Sequence, residues 1–156
     1  MNLEIPSTVA EIMTRDVITV EEDDNLANLR ESLKTLRFRH LPVTDEDRLI
    51  GLVTETDLLG IASSNLLPHH AARDRDLEER FRVRDIMVRD VLTIRPDTSL
   101  QHAARLLLKQ RFGCLPVVDE NNVLLGIVTS SDFTRLIAQA RGKWSSPASG
   151  EPQQLP

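Results

Sequence analysis

A chain of 156 residues is long enough to bury a sizeable apolar core without disulfides or metals, and short enough to form one compact unit. Its net charge of -5 excludes a protein whose main partner is a phosphate backbone, which would need a basic face, and its single cysteine, Cys114, excludes an intrachain disulfide and a cysteine metal cluster. Apolar residues make up 40% of the chain but aromatics only 3%, with no Tyr, so the core has to be aliphatic.

In chain order, Thr8 and Glu11 have the spacing of a capping box that opens a short helical turn before Ile12 and Met13. The β-branched alternation from Asp16 to Val20 predicts a strand. Asp24 or Asn25 then caps a helix in which Leu26, Leu29, Leu33 and Leu36 fall at helical spacing. Two short apolar runs, Leu41 to Thr44 and Leu49 to Thr54, are separated by an acidic turn and predict a hairpin, and a helix follows from Glu55 to about Ala62. The polar stretch from Ser63 to Arg80, with Pro68, His69 and His70, reads as a linker holding a helical piece at Arg73 to Arg80.

From Val83 the same text begins again. VAEIMTRDVITV at Val9 returns as VRDIMVRDVLTI, Asp23 and Leu26 as Asp97 and Leu100, and Leu41-Pro42-Val43 as Leu115-Pro116-Val117. One residue inserted near Asn121 and Asn122 shifts the register before GLVTETD, Gly51 to Asp57, returns as GIVTSSD, Gly126 to Asp132. The second copy thus predicts a strand at Asp90 to Ile94 and a helix burying Leu100, Ala103, Ala104, Leu107 and Leu108. A hairpin of Leu115 to Val118 with Val123 to Thr129 and a helix from Ser130 to about Ala140 complete it. The chain therefore divides into repeat 1 at 7–62, a linker at 63–80, repeat 2 at 81–141 and, from its Ser, Pro, Gly and Gln content, a disordered tail at 142–156. The fold class is α/β (α+β), two pseudo-symmetric β-α-β-β-α repeats, each with a small three-stranded sheet too small to be stable alone, packed sheet to sheet.

GLVTETD and GIVTSSD each run from a strand into the first turn of a helix, where a hydroxyl, a carboxylate and unpaired backbone N–H groups converge. Thr54 with Asp57, and Thr129 with Asp132, can hold a sugar-phosphate or simply cap the helix, and the spacing leaves both readings open. His69 and His70 lack a third ligand at metal spacing, His102 is expected on an exposed helix face, Met13 and Met87 are packing residues, and Cys114 is a buried, inert thiol. No nucleophile with a base, paired carboxylates or phosphate loop stands in the sequence, so no catalysis is expected. With neither a signal peptide nor an apolar run of about 18 residues, the expected location is the cytoplasm.

DVITV, RHLPVTD and GLVTETD, followed by DVLTI, GCLPVVDENN and GIVTSSD, resemble a tandem pair of CBS domains, the Bateman module, over about Val9 to Ile137. The resemblance implies a pseudo-two-fold disc with two sites for adenosyl ligands such as AMP, ADP, ATP or S-adenosylmethionine, assembled as a homodimer, parallel or antiparallel, and acting on an effector protein. It implies a stand-alone regulatory module; the alternative is a constitutive interaction module with a vestigial cleft.

Carried over by the resemblance, Asp57 and Asp132 accept hydrogen bonds from ribose hydroxyls, while Thr54 and Thr129, helped by Thr56 and Ser131, bond ribose or phosphate. Each site is a composite. The first joins Thr129, Ser131 and Asp132 to Phe38, Arg39 and His40, with Val17 and Ile18 at the adenine edge and Leu41 and Pro42 walling the pocket. The second joins Thr54, Thr56 and Asp57 to Phe112, Gly113 and Cys114, with Val91, Leu92, Leu115 and Pro116 in the matching roles. Because the first offers a guanidinium and an imidazole, and the second neither, the first is expected to be the dominant phosphate-bearing site.

Overall fold

The computed structural model describes residues 6–26, 29, 39–62, 80–110 and 113–139. Of the residues singled out from the sequence, Leu33, Leu36, Phe38, Phe112, the linker up to residue 79 and the tail lie outside these residues. Each repeat contributes a hairpin followed by a helix: β1 (His40–Asp45), β2 (Arg48–Thr54) and α1 (Glu55–Ala62), then α2 (Leu100–Gln110), β3 (Cys114–Val118), β4 (Leu124–Thr129) and α3 (Ser130–Gln139). Both hairpins are antiparallel, with His40 paired to Thr54 in one and Cys114 to Thr129 in the other. A short 3-10 turn opens each repeat, at Val9–Glu11 and Val83–Asp85. No helix of the described residues is long and apolar enough to cross a membrane.

The third strand expected at Asp16 to Val20 is corrected to a single residue. Val20 bridges Val43 in parallel, its N–H donating to the Pro42 carbonyl at 3.1 Å and its carbonyl accepting from the Thr44 N–H at 3.0 Å. The next bond of a parallel ladder would run from the N–H of residue 42 to the Ile18 carbonyl, and a proline has no N–H to give. Repeat 2 stops in the same way: Ile94 bridges Val117, and Pro116 ends the ladder before Leu92. Each sheet is thus a two-stranded hairpin plus one bridging residue, and the chain just ahead of that residue peels away from the sheet.

The cores are built reciprocally. Val83 and Met87, which open repeat 2, pack with Leu26, Leu41, Val43 and Val53 of repeat 1, while Val9 and Met13 pack with Leu100, Leu107, Leu115 and Val128 of repeat 2. The hydrogen bonds come in matching pairs. Val9 N–H donates to the Thr98 carbonyl at 2.9 Å as Val83 N–H does to that of Asp24 at 3.0 Å; Thr14 and Ile127 exchange bonds as Leu52 and Val88 do. Each opening turn is fixed by its own acid: the Glu11 carboxylate accepts the N–H of Thr8 and then that of Ser7, which hold its carboxyl below the usual range, and Asp85 accepts the Arg82 N–H.

Among the described residues, the buried hydrophobic core is aliphatic with two methionines and Cys114, as the composition requires. On α2 the buried face is Leu100, Ala103 and Leu107, whereas Leu108, expected in the same stripe, is 81% exposed. One residue beyond Leu107 is a rotation of about 100° on a helix, enough to carry a side chain off the core.

Gly51 and Gly126 make the exchange of turns possible. A Cβ at Gly126 would lie 2.7 Å from the Thr14 carbonyl oxygen and 2.8 Å from Met13 Sδ, and one at Gly51 would lie 2.6 Å from Met87 Sδ. Gly126→Ala is therefore expected to cost about 1–3 kcal/mol in urea unfolding through overpacking against backbone. Gly60→Ala, on a helix with nothing within 4 Å of the added carbon, should be neutral or stabilising by up to about 1 kcal/mol; equal losses in the two variants would refute the close-approach argument.

Candidate functional site

Both hairpins deliver the same local arrangement. Where β2 ends, the Thr54 N–H and hydroxyl donate to Asp57 Oδ2 at 2.8 and 2.7 Å, and the Asp57 N–H returns a bond to Thr54 Oγ1 at 3.3 Å. Where β4 ends, the Thr129 N–H and hydroxyl donate to Asp132 Oδ2 at 2.8 and 3.0 Å. Each pair closes the first turn of its helix. Asp132 is buried, and its second oxygen accepts a bond from Arg135 Nη1 at 3.1 Å. Asp57 is only half-buried.

A cleft of about 540 Å³, within the usual range for small-molecule sites, opens at the Thr54 end of the molecule. Its walls come from both repeats. Repeat 1 contributes Arg39 and His40 at the start of β1, Leu52 and Thr54 of β2, and Glu55 and Thr56 of α1. Repeat 2 contributes Val88, Asp90, Val91 and Leu92, in the segment released from the sheet ahead of Ile94, together with Gly113 and Cys114. The backbone holds these parts in register: the Glu55 N–H donates to the Arg39 carbonyl at 3.0 Å, and Leu52 is bridged to Val88.

His40 sits between the two repeats. Its imidazole occupies the space that a side chain at Gly113 would need, so a larger residue at that position would have to displace the ring. Burial, and then the neighbouring Arg39 guanidinium, hold the His40 ring below the usual histidine range. Its imidazole is therefore neutral at neutral pH, and Arg39 is the one full positive charge among the described residues lining the cleft, against the carboxylates of Glu55 and Asp90. Burial pushes the Cys114 thiol up to about 12, which keeps it protonated and inert.

Of the residues singled out from the sequence, the cleft brings together Arg39, His40, Thr54, Thr56, Val91, Leu92, Gly113 and Cys114. Thr129, Ser131 and Asp132 do not line it, nor does Asp57, which reaches it through Thr54. Val17 instead borders a smaller groove of about 170 Å³ with Arg15 and Asp47, and Ile18 is exposed. Leu41 and Pro42 of β1 and Leu115 and Pro116 of β3 are buried and do not line the cleft. Phe38 and Phe112 lie outside the described residues. Asp90, Val88 and Leu52 were not singled out from the sequence. Asp90 stands one residue before Val91, and only knowing that this segment leaves the sheet would have pointed to it.

The CBS domain family matches residues 9–64 and again 83–139. The chain belongs to the CBS domain family. A relative, the Methanocaldococcus jannaschii protein MJ1225, is 33% identical over 131 residues, which are 83% of this chain and 47% of that protein. The chain spans about half the length, or less, of the curated relatives it matches. Among solved structures, the CBS-pair protein CBSX2 of Arabidopsis thaliana in complex with AMP superposes with a TM-score of 0.72 at 30% identity, covering 86% of this chain and 98% of that one. The CBS domain pair of protein MJ0100, in complex with 5'-methylthioadenosine and S-adenosyl-L-methionine, superposes at 0.71 with 27% identity, covering 85% and 98%. The chain is thus a tandem CBS pair of mixed α/β fold.

The state of His40 gives a pH prediction. Because its folded-state value is lowered, its contribution to stability is complete above the usual histidine value of 6.5 and is lost as the pH falls below it, where the unfolded chain takes up a proton that the folded chain refuses. The melting temperature is expected to drop between about pH 7.5 and about 5.5, and to drop less in His40→Gln. Parallel curves for the two proteins would remove His40 from the account.

Proposed function

We propose that this CBS pair is a regulatory, non-catalytic module that binds an adenine nucleotide or a related adenosyl compound, AMP, ADP, ATP or S-adenosylmethionine, in the cleft between its repeats, and signals to an effector protein from the cytoplasm as a homodimer. The observation that carries this reading is the cleft itself, whose lining combines the hydroxyls of Thr54 and Thr56 and the guanidinium of Arg39 with the apolar side chains of Leu52, Val88, Val91 and Leu92. Hydroxyls and one cation suit a ribose phosphate, and an apolar slot suits a purine ring. The AMP complex of CBSX2 and the methylthioadenosine and S-adenosylmethionine complexes of MJ0100 support an adenosyl ligand.

The order of the two composite sites expected from the sequence is exchanged in this proposal. Arg39 and His40 line the Thr54 cleft, whereas the Asp132 carboxylate is buried and engaged by Thr129 and Arg135. Thr54, Thr56 and Arg39 therefore hold the first ligand, and Thr129, Ser131 and Asp132 serve a second, weaker one. Since both repeats wall the cleft, a bound ligand favours the arrangement that keeps the walls together and shifts the equilibrium by its differential affinity.

One observation favours the interaction-module reading: both Thr–Asp pairs already serve as helix caps, a structural role that needs no ligand. The exposed Leu108 and Ile137 on α2 and α3 would then be the working surface. A thermal-shift series separates the two. A ligand at about 100 times its dissociation constant adds about 2.7 kcal/mol, so AMP should raise the melting temperature by several degrees. Arg39→Ala should weaken binding by about tenfold or more through loss of a charged hydrogen bond. No shift with AMP, ADP, ATP or S-adenosylmethionine would hand the function to the interaction surface.

A further inference from the structure

The cleft is not symmetric in charge. The position between the two threonines of TETD is Glu55, which lines the cleft, whereas its counterpart in TSSD is Ser130, so only the first copy carries a carboxylate at that position. Asp90 adds a second carboxylate from the opposite wall. Against these stands Arg39, whose carbonyl accepts the Glu55 N–H at 3.0 Å, so the residue that attracts a phosphate and the residue that repels one are neighbours across the same strand end. No ion pair links Arg39 to either acid among the described residues, which leaves both charges to act on whatever enters. Burial keeps His40 from adding a second positive charge at neutral pH. The whole chain, at -5, repels polyanions further.

Resting on the adenosyl reading above, we infer that Glu55 is a specificity-determining residue that limits the cleft to ligands with little negative charge, admitting an adenosine monophosphate or an uncharged or cationic adenosyl compound and rejecting di- and triphosphates. One phosphate can be met by Arg39. Each further phosphate lengthens the anion along a wall that offers carboxylates and no second cation, and a like charge held at close range in a half-enclosed site costs severalfold in affinity. The Asp90 carboxylate reinforces the effect from the other side, and Ser130 marks what the same position looks like without it.

The test is isothermal titration of the full chain with AMP, ADP and ATP, in EDTA so that each phosphate carries its full charge, for the parent and for Glu55→Gln and Glu55→Ser. The parent should bind AMP more tightly than ADP, and ADP more tightly than ATP. Both variants should improve ATP binding by about threefold to tenfold while changing AMP binding much less, so that the AMP-to-ATP ratio narrows. Glu55 is exposed, and circular dichroism on both variants checks that the fold is kept, with Asp90→Asn as a second, independent removal of charge expected to act in the same direction. If all three nucleotides bind and the ratio is unchanged in every variant, the selector role is overturned while the adenosyl reading stands. If none binds to any of these proteins, and S-adenosylmethionine also fails, the adenosyl reading falls and the selector with it. A loss of ATP binding in Glu55→Gln when magnesium replaces EDTA would assign the carboxylate to a metal-bound phosphate, the opposite of a filter.

Discussion

Two close contacts between sulfur and glycine hold this molecule in its arrangement. Met13 lies on Gly126 and Met87 on Gly51, and through these contacts the opening turn of each repeat completes the core of the other. Buried methionine side chains contribute on the order of 1.5–3 kcal/mol each, and the flanking backbone bonds come in symmetric pairs, so neither half of the exchange can be lost without exposing the other's core. The cleft depends on it as well. Val88, Asp90, Val91 and Leu92 reach the Thr54 end of repeat 1 because Met87 and the Leu52–Val88 bridge anchor the chain there.

Prolines 42 and 116 decide what happens next to those anchors. Lacking an N–H, each ends the parallel ladder after one residue, and the chain ahead of Val20 and Ile94 is released from the sheet. In repeat 2 the released segment becomes a wall of the cleft. In repeat 1 it borders a small polar groove. The difference traces to the contact between repeats at the strand starts, where the bulky Arg39-His40 of one copy meets the slim Gly113-Cys114 of the other and the His40 ring takes the space over the glycine. Repeats with matching elements thus carry unequal sites, because the His40 ring of one copy occupies the space that a side chain at Gly113 of the other would need.

Much of this was legible in the sequence for a physical reason: hairpins, helix starts and the helical face of Leu100, Ala103 and Leu107 are set by residues a few positions apart. The duplication itself gave the family resemblance, and the family match on 9–64 and 83–139 agrees with it. What was hidden is non-local. Met13 and Met87 sit at identical points of the repeat, so the text cannot say whether each docks on its own glycine or on the other's. The alternation at Asp16 to Val20 correctly marks β-compatible residues, but pairing depends on the partner strand, and the partner carries a proline. Leu108 counts as apolar in any pattern, although one further step around the helix turns it to solvent. Asp90 reads in the sequence only as the start of a strand, because the residues it meets in the cleft, such as Arg39 and Thr54, are far away in the chain.

The exchanged opening turns also bear on how the two halves find each other. Each turn covers the other repeat's core, so neither repeat closes its core with its own turn. Because one chain carries both copies, each core meets its covering turn by a tethered encounter at high effective concentration rather than by a concentration-dependent one. A single chain can also carry different residues at matching positions, as it does where His40 of one copy lies over Gly113 of the other.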